Sequence, residues 1–197
     1  MILKLIPLIV SSLITTKPPC HQHLASADTY SDSIVRAAEG VHKKWGSDSS
    51  HTRVIVVDFT RPLEQERLFV VDIKSHKIIK SARVCHGVGS GRVSIPQKFS
   101  NDEGSKMSCK GVMRTAETYY GAWGYSMKVD GLEHGINSNA RARAIIFHNA
   151  DHQSAFWSWG CFSMPGKDYK EVINLTKGGS LIFAFSTKAE LGYYIKH

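Results

Sequence analysis

Val54-Ile55-Val56-Val57-Asp58-Phe59 and Leu68-Phe69-Val70-Val71-Asp72-Ile73 are short runs rich in β-branched and aromatic residues, and Ile78 to Val84 supplies a third. Residues of this type suit a pleated, half-buried surface, and the runs are too short to be buried helices. Thr60-Arg61-Pro62 and Ser75-His76 punctuate them with turn signals, which predicts antiparallel neighbours rather than strand-helix-strand units. Arg143 to His148 and Ser180 to Phe185 read as two further buried strands, with a helix over Lys167 to Leu175 between them. Asp28 to Trp45 is different: Ile34, Ala37, Ala38, Val41 and Trp45 recur at helical spacing and predict a short amphipathic helix. The stretch from Gly87 to Asn139 holds 9 glycines and reads as irregular loops and short strands. Together these features predict a mainly β fold, a mixed β sandwich or partly closed barrel, with a short N-terminal helix and a few small helices.

The first residues bear on location. Lys4 precedes Leu5-Ile6-Pro7-Leu8-Ile9-Val10, and Ala25-Ser26-Ala27 offers a small-x-small cleavage pattern, so residues 1–27 are expected to be a secretory signal peptide. Its apolar stretch is too short and interrupted for a stable transmembrane anchor, and Cys20, behind Lys17-Pro18-Pro19, lacks the small residues of a lipidation site. Cleavage leaves 170 residues, enough for one domain with a substantial core. Residues 28–50 then form the helix and its connection, and residues 51–197 the main domain. The formal charge of +8 falls to +6 without the leader, which favours an anionic polymer of the cell envelope. Because the basic residues are scattered rather than striped, nucleic acid is not an expected partner. The sequence does not indicate an oligomeric state.

Ser158-Trp159-Gly160-Cys161 carries the chemistry. Cys161 lies 13 residues after His148, which ends the apolar run Ala144-Ile145-Ile146-Phe147. A thiol near neutral pH is only slightly ionised, so a nucleophilic cysteine needs a base or a local positive charge. His148 is the candidate base, and the carbonyl of Asn149 is a candidate to hold its second ring nitrogen. Gly160 permits a backbone shape that turns amides inward, which makes the N–H groups of Trp159, Gly160 and Cys161 candidates for an oxyanion hole. The Ser158 hydroxyl is suited to bracing this loop.

Other readings of the same residues stand beside that one. Cysteine often only fills space, and His148 can be a satisfied core histidine. His148, His152, Cys161 and His134 are of zinc-ligand type, but no paired-cysteine motif accompanies them. Cys85 and Cys109 are either a disulfide pair or separate structural residues. Phe156-Trp157-Trp159-Phe162 is either an apolar wall or lid, or a packed loop.

A longer ordered set of positions narrows the choice. It runs through Cys85-His86-Gly87, Lys98-Phe99-Ser100-Asn101 with Gly104-Ser105, Ser108 and Gly111, Tyr120-Gly121 with Gly124-Tyr125-Ser126, Gly131-Leu132-Glu133 with Gly135 and Asn137, Ala140 with Arg143, and finally His148 and Ser158-Trp159-Gly160-Cys161. Over roughly Thr52 to Phe185 the chain resembles the YkuD-type L,D-transpeptidase domain, and within it the murein L,D-transpeptidase catalytic domain branch. The resemblance implies a Cys161 nucleophile, a His148 base and an orienting Asn149 carbonyl. It assigns substrate-side or structural roles to Ser158, His86, Asn101, Ser105, Tyr120, Tyr125 and Arg143. It further implies peptidoglycan stem peptides as partners, with the thiolate attacking the bond from a diamino acid to D-alanine. Transfer to a stem amine would give 3-3 cross-links, transfer to a lipoprotein amine an anchor, and transfer to water L,D-carboxypeptidase activity. No metal or organic cofactor is implied, and the location would be exported, in the periplasm or cell envelope. A different cell-wall cysteine peptidase and a non-catalytic wall-binding domain are the alternatives. The chain departs from the branch in a short histidine-to-cysteine loop and in Asn149, Trp157 and Phe162, where glycine, arginine and proline are usual.

Overall fold

A computed structural model describes residues 29–46, 51–150 and 157–197. The expected leader, Cys20, Asp28, His152 and Phe156 lie outside the described residues. The chain runs through α1 (Tyr30–Trp45), β1 (Arg53–Asp58), β2 (Leu68–Asp72), β3 (Lys77–Ala82), β4 (His86–Gly87), β5 (Gly111–Gly121), β6 (Gly124–Gly131), β7 (Ile146–Asn149), β8 (Trp157–Ser158), β9 (Phe162–Met164), α2 (Asp168–Thr176), β10 (Leu181–Phe185) and α3 (Lys188–Lys196).

Eight strands form one mixed sheet in the order β3-β2-β1-β10-β5-β6-β7-β9, and β4 pairs with β8 in a separate two-stranded piece. The sheet curls into a half-barrel, the partly closed form of the expected architecture. As the turn signals predict, β1, β2 and β3 are successive antiparallel neighbours. Three pairs are parallel, β1 with β10 and β7 with β9 in the large sheet and β4 with β8 in the small one. Helices cover both faces of the centre. Ile55, Val57, Met113 and Ile182 pack on one side with Val172 and Ile173 of α2, while Val54, Val56, Val112 and Phe183 pack on the other with α1 and Tyr194 of α3. Double coverage explains why β1 reads as a continuous apolar run instead of alternating.

α1 begins at a capping box, in which the Thr29 hydroxyl accepts from the Asp32 N–H and the Asp32 carboxylate accepts from the Thr29 N–H. Its stripe of Ile34, Ala37, Ala38 and Val41 is fully buried, as the helical spacing predicts.

Three expectations change. The strands between Gly87 and Asn139 are not short: irregular segments flank the 11-residue β5 and the 8-residue β6, paired as a long hairpin. Its glycines sit at strand ends and at the turn, and a register shift between Thr115 and Thr118 breaks the period of two that would have revealed the strand. Arg143 does not begin a strand, because the chain turns through Asn137 to Ala144 and β7 starts only at Ile146. Ala144 takes a positive φ of 53° there. Finally, α3 was unanticipated, although Thr187 and Glu190 form a second capping box.

Candidate active site

The site grows from the parallel pair β7 and β9. Phe147 lies opposite Phe162 and His148 opposite Ser163. Phe147 and Phe162 stack with ring centroids 4.8 Å apart inside the core. Side chains alternate along a strand, so His148 and Ser163 turn to the other face, and Cys161, two residues before Ser163, returns to that face beside Ile146. The Ile146 N–H donates to the Cys161 sulfur, and the thiol donates to the Ala144 carbonyl at 3.5 Å. The sharp turn that ends in Ala144 therefore shapes the floor beneath the Cys161 thiol. Strained backbone of this kind collects at functional sites.

His148 is buried, and its Nδ1 lies 2.6 Å from the carbonyl of Asn149. A carbonyl can only accept, so Nδ1 carries the proton and Nε2 keeps its lone pair, the tautomer a general base requires. Trp123, in the turn of the β5–β6 hairpin, packs on the ring with centroids 5.3 Å apart. Gly124 closes that turn at φ 73°, a left-handed position that suits glycine.

A bonded set of loops holds the thiol from the other side. Ser158 donates through its hydroxyl to the Cys161 carbonyl at 2.8 Å and accepts from the Gly160 N–H at 3.1 Å. The Gly160 amide is thus engaged within its own turn, leaving those of Trp159 and Cys161 as the remaining oxyanion candidates. Gly160 sits at φ 114°, and a Cβ there would lie 2.7 Å from the Met107 carbonyl oxygen. Only glycine fits. The Arg143 guanidinium fans out behind this turn, donating to the carbonyls of Ser100 at 2.5 Å and Met107 at 2.6 Å, to Ser105 Oγ at 3.2 Å and to Cys109 Sγ at 2.9 Å.

Burial dominates the electrostatics. It pushes the Cys161 thiol up to about 11, with the nearby Cys109 adding to the rise and the Ile146 amide and Arg143 opposing it. Burial also lowers His148 below the ordinary histidine value, against the pull of the Asn149 carbonyl. At neutral pH the resting pair is therefore a thiol and a neutral imidazole.

The other residues singled out by sequence fall into two groups. Ser158, Ser105 and Arg143 join the loops around the thiol, as above. His86 backs the Trp157-Ser158 strand, opposite Trp157, but its ring is locked to Arg67 and Gly91; Asn101, Tyr120 and Tyr125 lie apart from the thiol, and Asn101 clasps Ser138 and Asn139. Tyr125 donates to Asn174 of α2, and Tyr120 stands exposed on the hairpin with its ring 5.3 Å from that of Tyr125. The aromatic cluster divides as well. Trp157 packs edge-on against His86, Phe162 joins the core and Trp159 is 66% exposed. Cys85 and Cys109 are both buried and not joined in a disulfide in this structure. Sequence reasoning missed Trp123, Ala144 and Lys106. The Gly121 and Gly124 bracket around Trp123 was the available signal for the first, whereas nothing local announces the other two.

A groove of about 460 Å³ on the α1–α3 side of the sheet is a poorer candidate. Its charged groups are occupied: Lys110 pairs with Glu190, Lys44 donates to Tyr193, and Glu133 accepts from the Val112 N–H.

Comparison with known proteins bears on the family and the fold. The chain has no match among curated proteins. Among solved structures it is similar to Bd1075 of Bdellovibrio bacteriovorus, with 15% identity and a TM-score of 0.50 over 76% of this chain and 55% of that one. It is also similar to an L,D-transpeptidase of Stackebrandtia nassauensis, with 15% identity and a TM-score of 0.45 over 79% and 67% of the two chains. L,D-transpeptidase 1 of Mycobacterium tuberculosis aligns at 10% identity and a TM-score of 0.40 over 68% and 61%. The chain thus spans about half to two thirds of the length of these proteins. Residues 26–185 match the family model of the L,D-transpeptidase catalytic domain, and the chain belongs to that family.

Proposed function

We propose that the protein is an exported cysteine L,D-transpeptidase acting on peptidoglycan stem peptides. The observation that carries this reading is the Nδ1–H tautomer of His148, fixed by the Asn149 carbonyl on the same sheet face as Cys161. In the proposed reaction, Cys161 attacks the carbonyl between the diamino acid and the terminal D-alanine as His148 Nε2 takes its proton. The amides of Trp159 and Cys161 receive the oxyanion, and His148 returns the proton to the departing amine. The acyl-enzyme then passes to a stem amine, giving a 3-3 cross-link, or to water, giving a shortened stem.

The experiment is incubation of the protein with defined muropeptides, followed by mass spectrometry. The expected products are a covalent adduct on Cys161, loss of D-alanine, and dimers. An adduct on another residue would overturn the assignment. The L,D-carboxypeptidase reading would replace it if only shortened monomers formed.

A further inference from the structure

Lys106 stands beside the nucleophile loop in an unusual setting. Its ammonium lies 4.6 Å from the ring centroid of Trp159, which is itself 66% exposed and is two residues before Cys161. The backbone places it there. Lys106 takes a left-handed φ of 54°, its carbonyl accepts from the Gly89 N–H at 2.9 Å, and the Met107 carbonyl lies against Gly160. These restraints bind the segment carrying Lys106 to the turn that carries Cys161. Among the described residues no carboxylate forms an ion pair with Lys106. The other lysines near carboxylates, Lys80, Lys110 and Lys128, are paired.

An ammonium resting on an indole keeps its charge available on the side away from the ring, so the pair offers a cation above an apolar plate. In the proposed reaction the residue that leaves is joined to the scissile carbonyl through its amine, and its own carboxylate is the next functional group along the donor. We propose that Lys106, held on Trp159, recognises the free C-terminal carboxylate of the acyl donor, selecting peptides that end one residue beyond the attacked bond. This rests on the cysteine acyl-transfer reading above. Lys106 acts on donor choice and not on the thiol, so it is a specificity-determining residue.

The test compares two synthetic donors that differ only at the end, one with a free terminal carboxylate and one with a terminal carboxamide, by the rate of Cys161 acylation in mass spectrometry. The wild type is expected to prefer the acid. K106Q should lower kcat/KM for the acid by roughly tenfold, the scale of one charge-assisted contact, through KM, while leaving the amide nearly unchanged. K106R should restore most of the preference. Acylation of the wild type by both donors alike, or an equal loss on both in K106Q, would overturn this proposal alone. Acylation by neither would remove the acyl-transfer reading with it.

Discussion

His86 and His148 are both buried and both depressed in basicity, yet their rings are wired in opposite senses. The Arg67 guanidinium meets His86 Nδ1 at 2.9 Å, and an arginine can only donate, so this nitrogen must accept. Nε2 then carries the proton, which it gives to the Gly91 carbonyl at 3.0 Å. Both nitrogens are consumed. At His148 the Asn149 carbonyl fixes the proton on Nδ1 and leaves Nε2 as a lone pair. Burial alone therefore does not make a catalytic histidine; the partner of the first nitrogen decides what the second can do.

The same contrast extends to the neighbours. Arg67 is fully buried and donates to the carbonyls of Val84 and Arg61 as well as to His86, with burial lowering it to about 10. It organises the region behind β4 and has no place for a substrate. Arg143 donates to a similar set of carbonyls, but its loops end at Cys161. One arginine stiffens the scaffold, and the other stiffens the site.

The sharpest break in the comparison comes from the proposed nucleophile, Cys161. C161A and C161S are expected to abolish the acyl-enzyme while retaining the fold, and intact-mass measurement after exposure to donor checks this. Next comes the proposed base: H148A should slow acylation by a factor on the order of 100 or more, well beyond what its loss of stability accounts for. H86A should do the reverse, lowering stability by about 1–3 kcal/mol because a buried guanidinium N–H loses its acceptor, with a smaller effect on acylation. If denaturant melts showed H148A to be the less stable of the two and H86A the less active, the assignment of roles would have to be exchanged.

G160A tests the turn rather than the histidines. Strain at φ 114° and a close backbone contact should cost about 1–3 kcal/mol, read as a fall in Tm of about 2–4 °C per kcal/mol. The smallest effect concerns pH. His86 is lowered from 6.5 to about 4 by burial, so the folded state binds fewer protons than the unfolded chain in that window. The stability it contributes is complete above about 6.5 and is lost as pH falls toward about 4, and denaturant midpoints in H86Q should show a shallower decline. His148 is shifted in the same sense, so acylation should persist somewhat below pH 6.5 before falling. A rate that already collapsed above the ordinary histidine value would contradict a depressed base.

Much of this molecule was legible in the chain. The apolar runs from Val54, Leu68 and Leu181 are strands because β-branched residues fill a doubly covered sheet, and Ile34 to Val41 forms a helix because its period matches the fold's need for a covering face. The spacing of His148 and Cys161, with Gly160 between turn and thiol, pointed to the candidate pair. Local pattern failed where the register shifted, in β5, and where a turn replaced a strand, at Arg143. The sequence by itself determined which elements form and which side chains have the chemistry, since periodicity and residue type are properties of neighbours along the chain. Tertiary structure alone decided that Arg67 engages His86, that Gly160 has no room for a side chain, and that Lys106 rests on Trp159. Each of those depends on segments far apart in sequence meeting at hydrogen-bonding distance or in van der Waals contact, and such meetings leave no local trace.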